Sequence, residues 1–180
     1  MSKVKKNIKE TIQDYLLDEG LLRKRITEPK LEFGFQFTFP PGSGPPNRSP
    51  GQNMVVFQPK NKRDLLIITV GTQISKPHVD ALNKLGDKKV HFFMDLKKFL
   101  LLKDLFFRID AQNYRYEISD QIFVDEKNLI TKDEFFKSIQ KIFNSAVYSN
   151  ILLGEYCSGI IKPEDFDKSK NIGMGFSLYT

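Results

Sequence analysis

The chain has 180 residues and a net charge of +6, with 40% hydrophobic residues, 28% charged residues and sixteen Phe. A domain of this length already buries roughly 70% of its unfolded surface, and so aromatic a composition excludes a disordered chain. The isoelectric point near 9.3 admits an anionic partner, whereas a single cysteine, Cys157, excludes an internal disulfide and a multi-cysteine zinc site.

The apolar runs Leu65 to Ile68 and Phe99 to Leu102 fall far short of the roughly 20 residues that span a bilayer. Glu10, Asp14, Asp18 and Glu19 interrupt the N-terminal region where a secretory peptide needs an apolar core. These features predict a cytoplasmic protein with no membrane partner. The sequon Asn47-Arg48-Ser49 is then a chance match.

In chain order, Val4, Ile8, Ile12, Tyr15 and Leu16 recur at helical spacing and predict a helix over residues 2–17, closed by Gly20. Leu31, Phe33, Phe35, Phe37 and Phe39 alternate with Glu32, Gly34, Gln36 and Thr38. That alternation predicts a half-buried strand whose Phe face turns inward. Residues 40–51 hold five Pro and three Gly and predict a long surface loop. Met54 to Phe57 and Leu65 to Val70 read as a hairpin through residues 59–64. Ser75 and Pro77 open a helix, with Ser75 as its cap, and Gly86 breaks it. From Lys88 to Lys103 a second helical piece is apolar around its whole girth, which predicts deep burial or a partner subunit. Leu105 to Ala111 and Tyr114 to Val124 form another strand pair turning near Gln112 and Asn113. Thr131 and Glu134 have the spacing of a capping box, opening a helix of roughly four turns along Phe135, Ile139, Ile142, Phe143, Ala146, Val147 and Ile151. Residues 162–180 read as a weakly ordered tail on a single domain over 1–161. The expected fold is α+β: a five-stranded, largely antiparallel sheet with three helices packed on it, in the order αβββαββα.

Candidate chemistry is sparse. The loop from Gly42 to Gly51 lacks the Gly-Lys-Ser/Thr of a phosphate loop and precedes a strand. Gly173-Met174-Gly175 lacks the third glycine of a dinucleotide fingerprint. The prolines at 40, 41, 45, 46 and 50 are never three apart, so the simple polyproline-ligand register is missing. Phe33-Gly34-Phe35 invites an RNA-stacking reading, but outward rings would forgo about 1.5 to 3 kcal/mol each of burial. His91, with Asp87 and Asp95 four residues to either side, reads as an imidazole–carboxylate contact. Ser75 near His78 is accounted for by capping. Asp125 and Glu126 belong to a turn, and Cys157 has no cation adjacent in sequence to make it reactive. No catalytic, cofactor or metal residue is assigned, and the reading leans away from an enzyme.

The stretches Glu32-Phe-Gly-Phe-Gln-Phe-Thr-Phe-Pro-Pro, Val55-Val-Phe-Gln-Pro-Lys and Leu65-Leu-Ile-Ile-Thr-Val, with Gly71, Ile74-Ser75, Ile122-Phe-Val-Asp and Ile130-Thr-Lys-Asp-Glu-Phe, resemble an uncharacterised, mainly archaeal protein family. The likeness covers about residues 5 to 155. That family resembles the small α/β fold of type III secretion chaperones, whose members pair through the middle helix and hold extended polypeptides. The resemblance implies a homodimer through Val90 to Leu102, centred on Phe92, Phe93, Leu96, Phe99 and Leu100. This chain departs from it in being basic, and residues 162–180 have no counterpart. The function expected is a noncatalytic protein-binding or chaperone-like module. The alternative is a basic nucleic-acid-associated protein using Lys60, Lys62, Arg63, Lys88 and Lys89, and the third reading is an enzyme with an unrecognised site.

Overall fold

Local chemistry sets the element boundaries. The computed structural model describes residues 7–41, 51–84, 86–125 and 130–158. Segment 42–50 of the Pro/Gly-rich loop and the tail 162–180 therefore lie outside the described residues. The order is α1 (Ile8–Asp18), β1 (Leu22–Ile26), β2 (Leu31–Phe39), β3 (Gln52–Pro59), β4 (Leu65–Gln73), α2 (Lys76–Asn83), α3 (Lys88–Leu102), β5 (Phe106–Asp110), β6 (Arg115–Phe123) and α4 (Lys132–Ser158).

Asn7 and Glu10 form a reciprocal capping box at the start of α1, and Thr131 and Glu134 form one at the start of α4, each satisfying amides that lack a helical partner. At the end of α1, Gly20 has φ +66°. Its amide donates to Leu17 O, and that of Leu21 to Leu16 O, both at 2.9 Å, which is the Schellman arrangement. Gly86, at φ +65°, separates α2 from α3.

The strands form one six-stranded sheet in the order β1-β2-β3-β4-β6-β5. Neighbours β1 to β4 pair antiparallel. Backbone bonds from Val124 to Asp64 and from Ile74 to Tyr114 join opposite ends of β4 and β6, so this pair is antiparallel too. The α+β class is as expected, but six strands and four helices replace the expected five and three. The missed strand is β1, Leu-Arg-Lys-Arg-Ile, in which three consecutive exposed cations lie between half-buried ends. It is an edge strand, where charge is tolerated and hinders unwanted pairing, so it carries no alternation. The fourth helix follows from counting α2 and α3 separately. Helix α4, with 27 residues, outruns the four turns expected, because Leu152 and Leu153 continue its buried face.

The chain divides into two units, Met1–Val70 with Ser119–Phe143, and Gly71–Ile118 with Asn144–Thr180. In the first unit the core is built on β2. Phe33, Phe35 and Phe37 are buried, and Phe39, half-buried at the strand end, meets Phe143 edge-on at 5.3 Å. The inward orientation expected from alternation therefore holds. Ile12 and Leu16 of α1, Met54 and Val56 of β3, Leu66 and Ile68 of β4 and Phe135, Ile139 and Ile142 of α4 complete this core. In the second unit the core comprises Ile74, Leu82, Phe92, Leu96, Leu100, Tyr116, Ile118, Leu152 and Leu153. Among the described residues no helix is long and apolar enough to cross a membrane.

Opposite the Phe face, Ile26, Gly34, Phe57 and Ile67 pair in one row across four strands. A Cβ on Gly34 would lie 3.1 Å from Ile26 Cβ and 3.3 Å from Leu31 Cδ1, closer than carbon atoms rest. Replacing Phe37 by Ala should cost about 3 to 5 kcal/mol in denaturant unfolding, and Gly34→Val about 1 to 3 kcal/mol through overpacking. Phe123→Ala, at a side chain 75% exposed, should cost less than about 1 kcal/mol.

Candidate functional site

Burial displaces the titration of His78 on α2 and of Tyr148, Glu155, Tyr156 and Cys157 on the C-terminal half of α4, all in the second unit. Helix α4 turns Tyr148, Glu155, Tyr156 and Cys157 toward that unit's own elements. The Tyr156 hydroxyl donates to Asp95 Oδ2 at 2.5 Å, and Lys98 Nζ donates to Asp95 Oδ1 at 3.2 Å. Tyr156 packs edge-on against Phe92 at 5.9 Å, while Tyr148 stacks on Phe99 at 3.8 Å. Burial raises the pKa of both phenols, and the Asp95 and Glu155 carboxylates raise them further. Both phenols therefore stay protonated, and that of Tyr156 donates to Asp95.

Glu155 is only 4% exposed, and its Oε2 has no hydrogen-bond partner among the described residues. Burial raises its pKa, since a carboxylate out of water costs more than a carboxylic acid. Such a shift suits a general acid, but the same burial closes the group to a substrate in this conformation. Cys157 is pushed up to about 11, by burial outweighing nearby Lys88. Its thiol lies 3.6 Å from the His78 carbonyl. It is a packed, protonated thiol rather than a nucleophile.

At the start of α2, Ser75 Oγ lies 2.6 Å from His78 Nδ1, and Ser75 makes no side-chain bond to a helix amide. The expectation that Ser75 caps through its hydroxyl is corrected. Ser75 is the N-cap residue and His78 stands at N3, so the imidazole occupies the place that Glu10 and Glu134 take in the other two boxes. Burial lowers the His78 pKa, favouring the neutral ring this contact uses. The pair is local in sequence and follows from helix geometry.

His91 is exposed. The expected contact does not form: among the described residues its ring meets neither the Asp87 nor the Asp95 carboxylate, and the Asp95 carboxylate is taken by Tyr156 and Lys98 instead. Among the described residues no three His, Cys, Asp or Glu side chains gather to hold a metal. In the first unit a cleft of about 720 Å³ is lined by Thr11, Asp14, Tyr15 and Asp18 of α1 with Ile130, Thr131 and Lys132. Lys132 already binds Glu19 at 2.6 Å, and Tyr15 donates to Ile130 O at 3.1 Å. Its polar groups largely satisfy one another.

The residues expected at a dimer surface are placed inward. Phe92, Phe93, Leu96 and Leu100 are buried in their own unit, and Phe99 is half-covered by Tyr148. The large apolar side chains α3 leaves exposed are Val90, Met94, Leu101 and, at its last position, Leu102. Of the cations considered for nucleic acid, Lys60, Lys62 and Arg63 are exposed in the β3–β4 turn. Lys88 and Lys89 are half-buried on α3, with Lys89 Nζ 4.0 Å above the Tyr114 ring. Sequence reading missed the pairing of Tyr156 with Asp95 and the burial of Glu155. The available signal was an acid continuing the register of Ile142, Ser149 and Leu152 on a helix taken to end sooner.

The geometry defines an α+β protein with an antiparallel sheet, a half-buried Tyr156–Asp95 pair and a buried Glu155. A family model described as "Uncharacterized conserved protein (DUF2299)" matches residues 8–153, and the chain belongs to that family. It is similar to a solved structure described as an uncharacterized protein from Methanothermobacter thermautotrophicus, with 22% identity and a TM-score of 0.71, over 83% of this chain and 98% of that one. At that identity the likeness shows the fold. No curated protein matches the chain.

Because the folded pKa of Glu155 is raised, the native state binds its proton more tightly than the unfolded chain. Glu155 then opposes folding fully above its folded pKa, and the penalty fades as pH falls toward the ordinary carboxyl value of 4.5. Thermal melts should show Glu155→Gln more stable than wild type at pH ~8 by about 1 kcal/mol or more, with the gap closing by pH ~5. Cys157 in the native protein should react with an aromatic disulfide at pH ~8 at least about tenfold more slowly than in denaturant.

Proposed function

We propose that this chain is a noncatalytic protein-binding module that works as a homodimer, with an architecture like that of type III secretion chaperones. The observation that carries the reading is the outer face of α3. Its inner side is buried, yet Val90 is 60%, Met94 48% and Leu101 62% exposed. At 100° per residue these three fall within about 40° of one another. With Lys97 they recur at intervals of four, three and four residues, the spacing of a seam between two helices. A lysine at one seam position costs stability and restricts register and partner number. An identical α3 related by a twofold axis meets this seam with the same apolar residues, which is how most homodimers close.

The displaced groups of the same unit support a noncatalytic role, because the phenols and the thiol are held protonated and Glu155 is enclosed. The type III secretion chaperone likeness adds that members of that fold pair through a helix and hold extended polypeptides.

Light scattering coupled to size exclusion at about 100 μM should give twice the monomer mass. Met94→Lys with Leu101→Lys should weaken association at least about tenfold, or about 1.4 kcal/mol, with an unchanged circular dichroism spectrum. A monomeric wild type at that concentration would remove the dimer.

A further inference from the structure

The basic residues of the first unit converge on one end of its sheet. The turn between β1 and β2 and the turn between β3 and β4 lie side by side, since the Lys60 amide donates to Lys30 O at 3.0 Å and Leu31 pairs with Pro59. Lys30, Lys60, Lys62 and Arg63 are exposed there, and Lys24 and Arg25 follow on β1. These six cations stand among three acids, Glu28, Glu32 and Asp64. Lys24, Lys30, Lys60, Lys62 and Arg63 form no ion pair with any described residue. Arg25 is held by a neutral group, Gln13 Oε1, at 2.9 Å.

We propose that this end of the sheet, carried by Lys30, Lys60, Lys62 and Arg63 with Lys24 and Arg25 beside them, binds the phosphate backbone of duplex nucleic acid without reading sequence. Ammonium and guanidinium groups without an ion-pair partner among the described residues, on two adjacent turns, match a rigid row of phosphates, and binding releases condensed counterions. Residues 24–32 and 59–64 contain no Phe, Tyr, Trp or His, so the platform on which single-stranded bases stack is missing. Among the described residues the large exposed apolar side chains all lie outside these two turns, the nearest being Phe123, which precedes the Val124 amide bonded to Asp64 O, so a lipid surface would meet one ring there rather than an apolar face. Lys88 and Lys89 are left out. They are half-buried in the other unit, where Lys89 lies over the Tyr114 ring. The site uses none of the α3 residues of the proposed dimer, and its failure would leave that reading untouched.

The test is fluorescence anisotropy with a labelled duplex of about 20 base pairs across a salt series from about 25 to about 200 mM. Wild type should bind at low salt, with log affinity falling against log salt at a slope of about 3 to 5. The variant Lys30→Gln/Lys60→Gln/Lys62→Gln/Arg63→Gln should lose at least about 30-fold in affinity at about 50 mM salt, and its slope should drop by about 3. Lys62→Glu alone should lose about tenfold, and serves if the fourfold variant does not fold. Lys88→Gln/Lys89→Gln should stay within about twofold of wild type. No binding at about 25 mM salt would overturn the proposal, as would a folded fourfold variant that matches wild type. Capture by vesicles containing about 30% anionic lipid, with the duplex left unbound, would overturn it in favour of a membrane surface.

Discussion

Turning the rings of Phe33, Phe35 and Phe37 out of water decides which side of β2 the helices cover, and β2 passes that decision to its neighbours. Strand side chains alternate with a period of two, so a slip of one residue would expose every ring. The register with β3 runs from Leu31 opposite Pro59 to Phe39 opposite Gln52, and Gly34 brings Ile26 of β1 within reach on the other face. Burial of three phenylalanines, at about 1.5 to 3 kcal/mol each, thus aligns β1, β2 and β3 together. It also brings the β1–β2 and β3–β4 turns to one end, where their lysines meet.

The second unit is organised differently, around polar groups that burial forces into pairs. The Tyr116 hydroxyl shares a 2.8 Å bond with Ser149 Oγ, and Ser149 donates to Ala146 O at 2.7 Å. Tyr156 and Asp95 form a second pair. Buried polar atoms that find partners give a unit one packing rather than several. Glu155 is the exception, with one oxygen unsatisfied among the described residues, and its raised pKa is the physical response.

The cationic turns and the apolar seam of α3 belong to different units. The first unit carries cations on two adjacent turns that form no ion pair among the described residues, while α3 of the second carries an apolar seam interrupted by Lys97. Helix α4 contributes to both cores, which is why its apolar register persists through 27 residues. Cationic turns attract at long range and depend on salt, whereas an apolar seam acts at contact and does not. The two surfaces therefore suit partners of different chemistry.

Much of the fold was legible in residue order. Alternation located β2, helical spacing located α1, α3 and the start of α4, and Gly20 and the Thr131–Glu134 box marked helix ends, because each is a property of a few neighbouring residues. Strand β1 was not legible, since an edge strand half-open to water needs no alternating pattern. For α3, periodicity could not say which apolar side chains would face inward. Phe92 and Leu96 pack inside while Val90 and Met94 do not, a choice made by Tyr148, Tyr156 and their neighbours on α4, more than forty residues away. The link of Tyr156 to Asp95 spans 61 positions, and the meeting of Lys30 with Lys60 spans a loop. The sequence by itself determined most of the elements and the buried faces of α1, β2 and the start of α4, because short-range periodicity encodes them. Only the tertiary structure decided which distant polar and charged groups stand together, because proximity across the fold leaves no trace in local order.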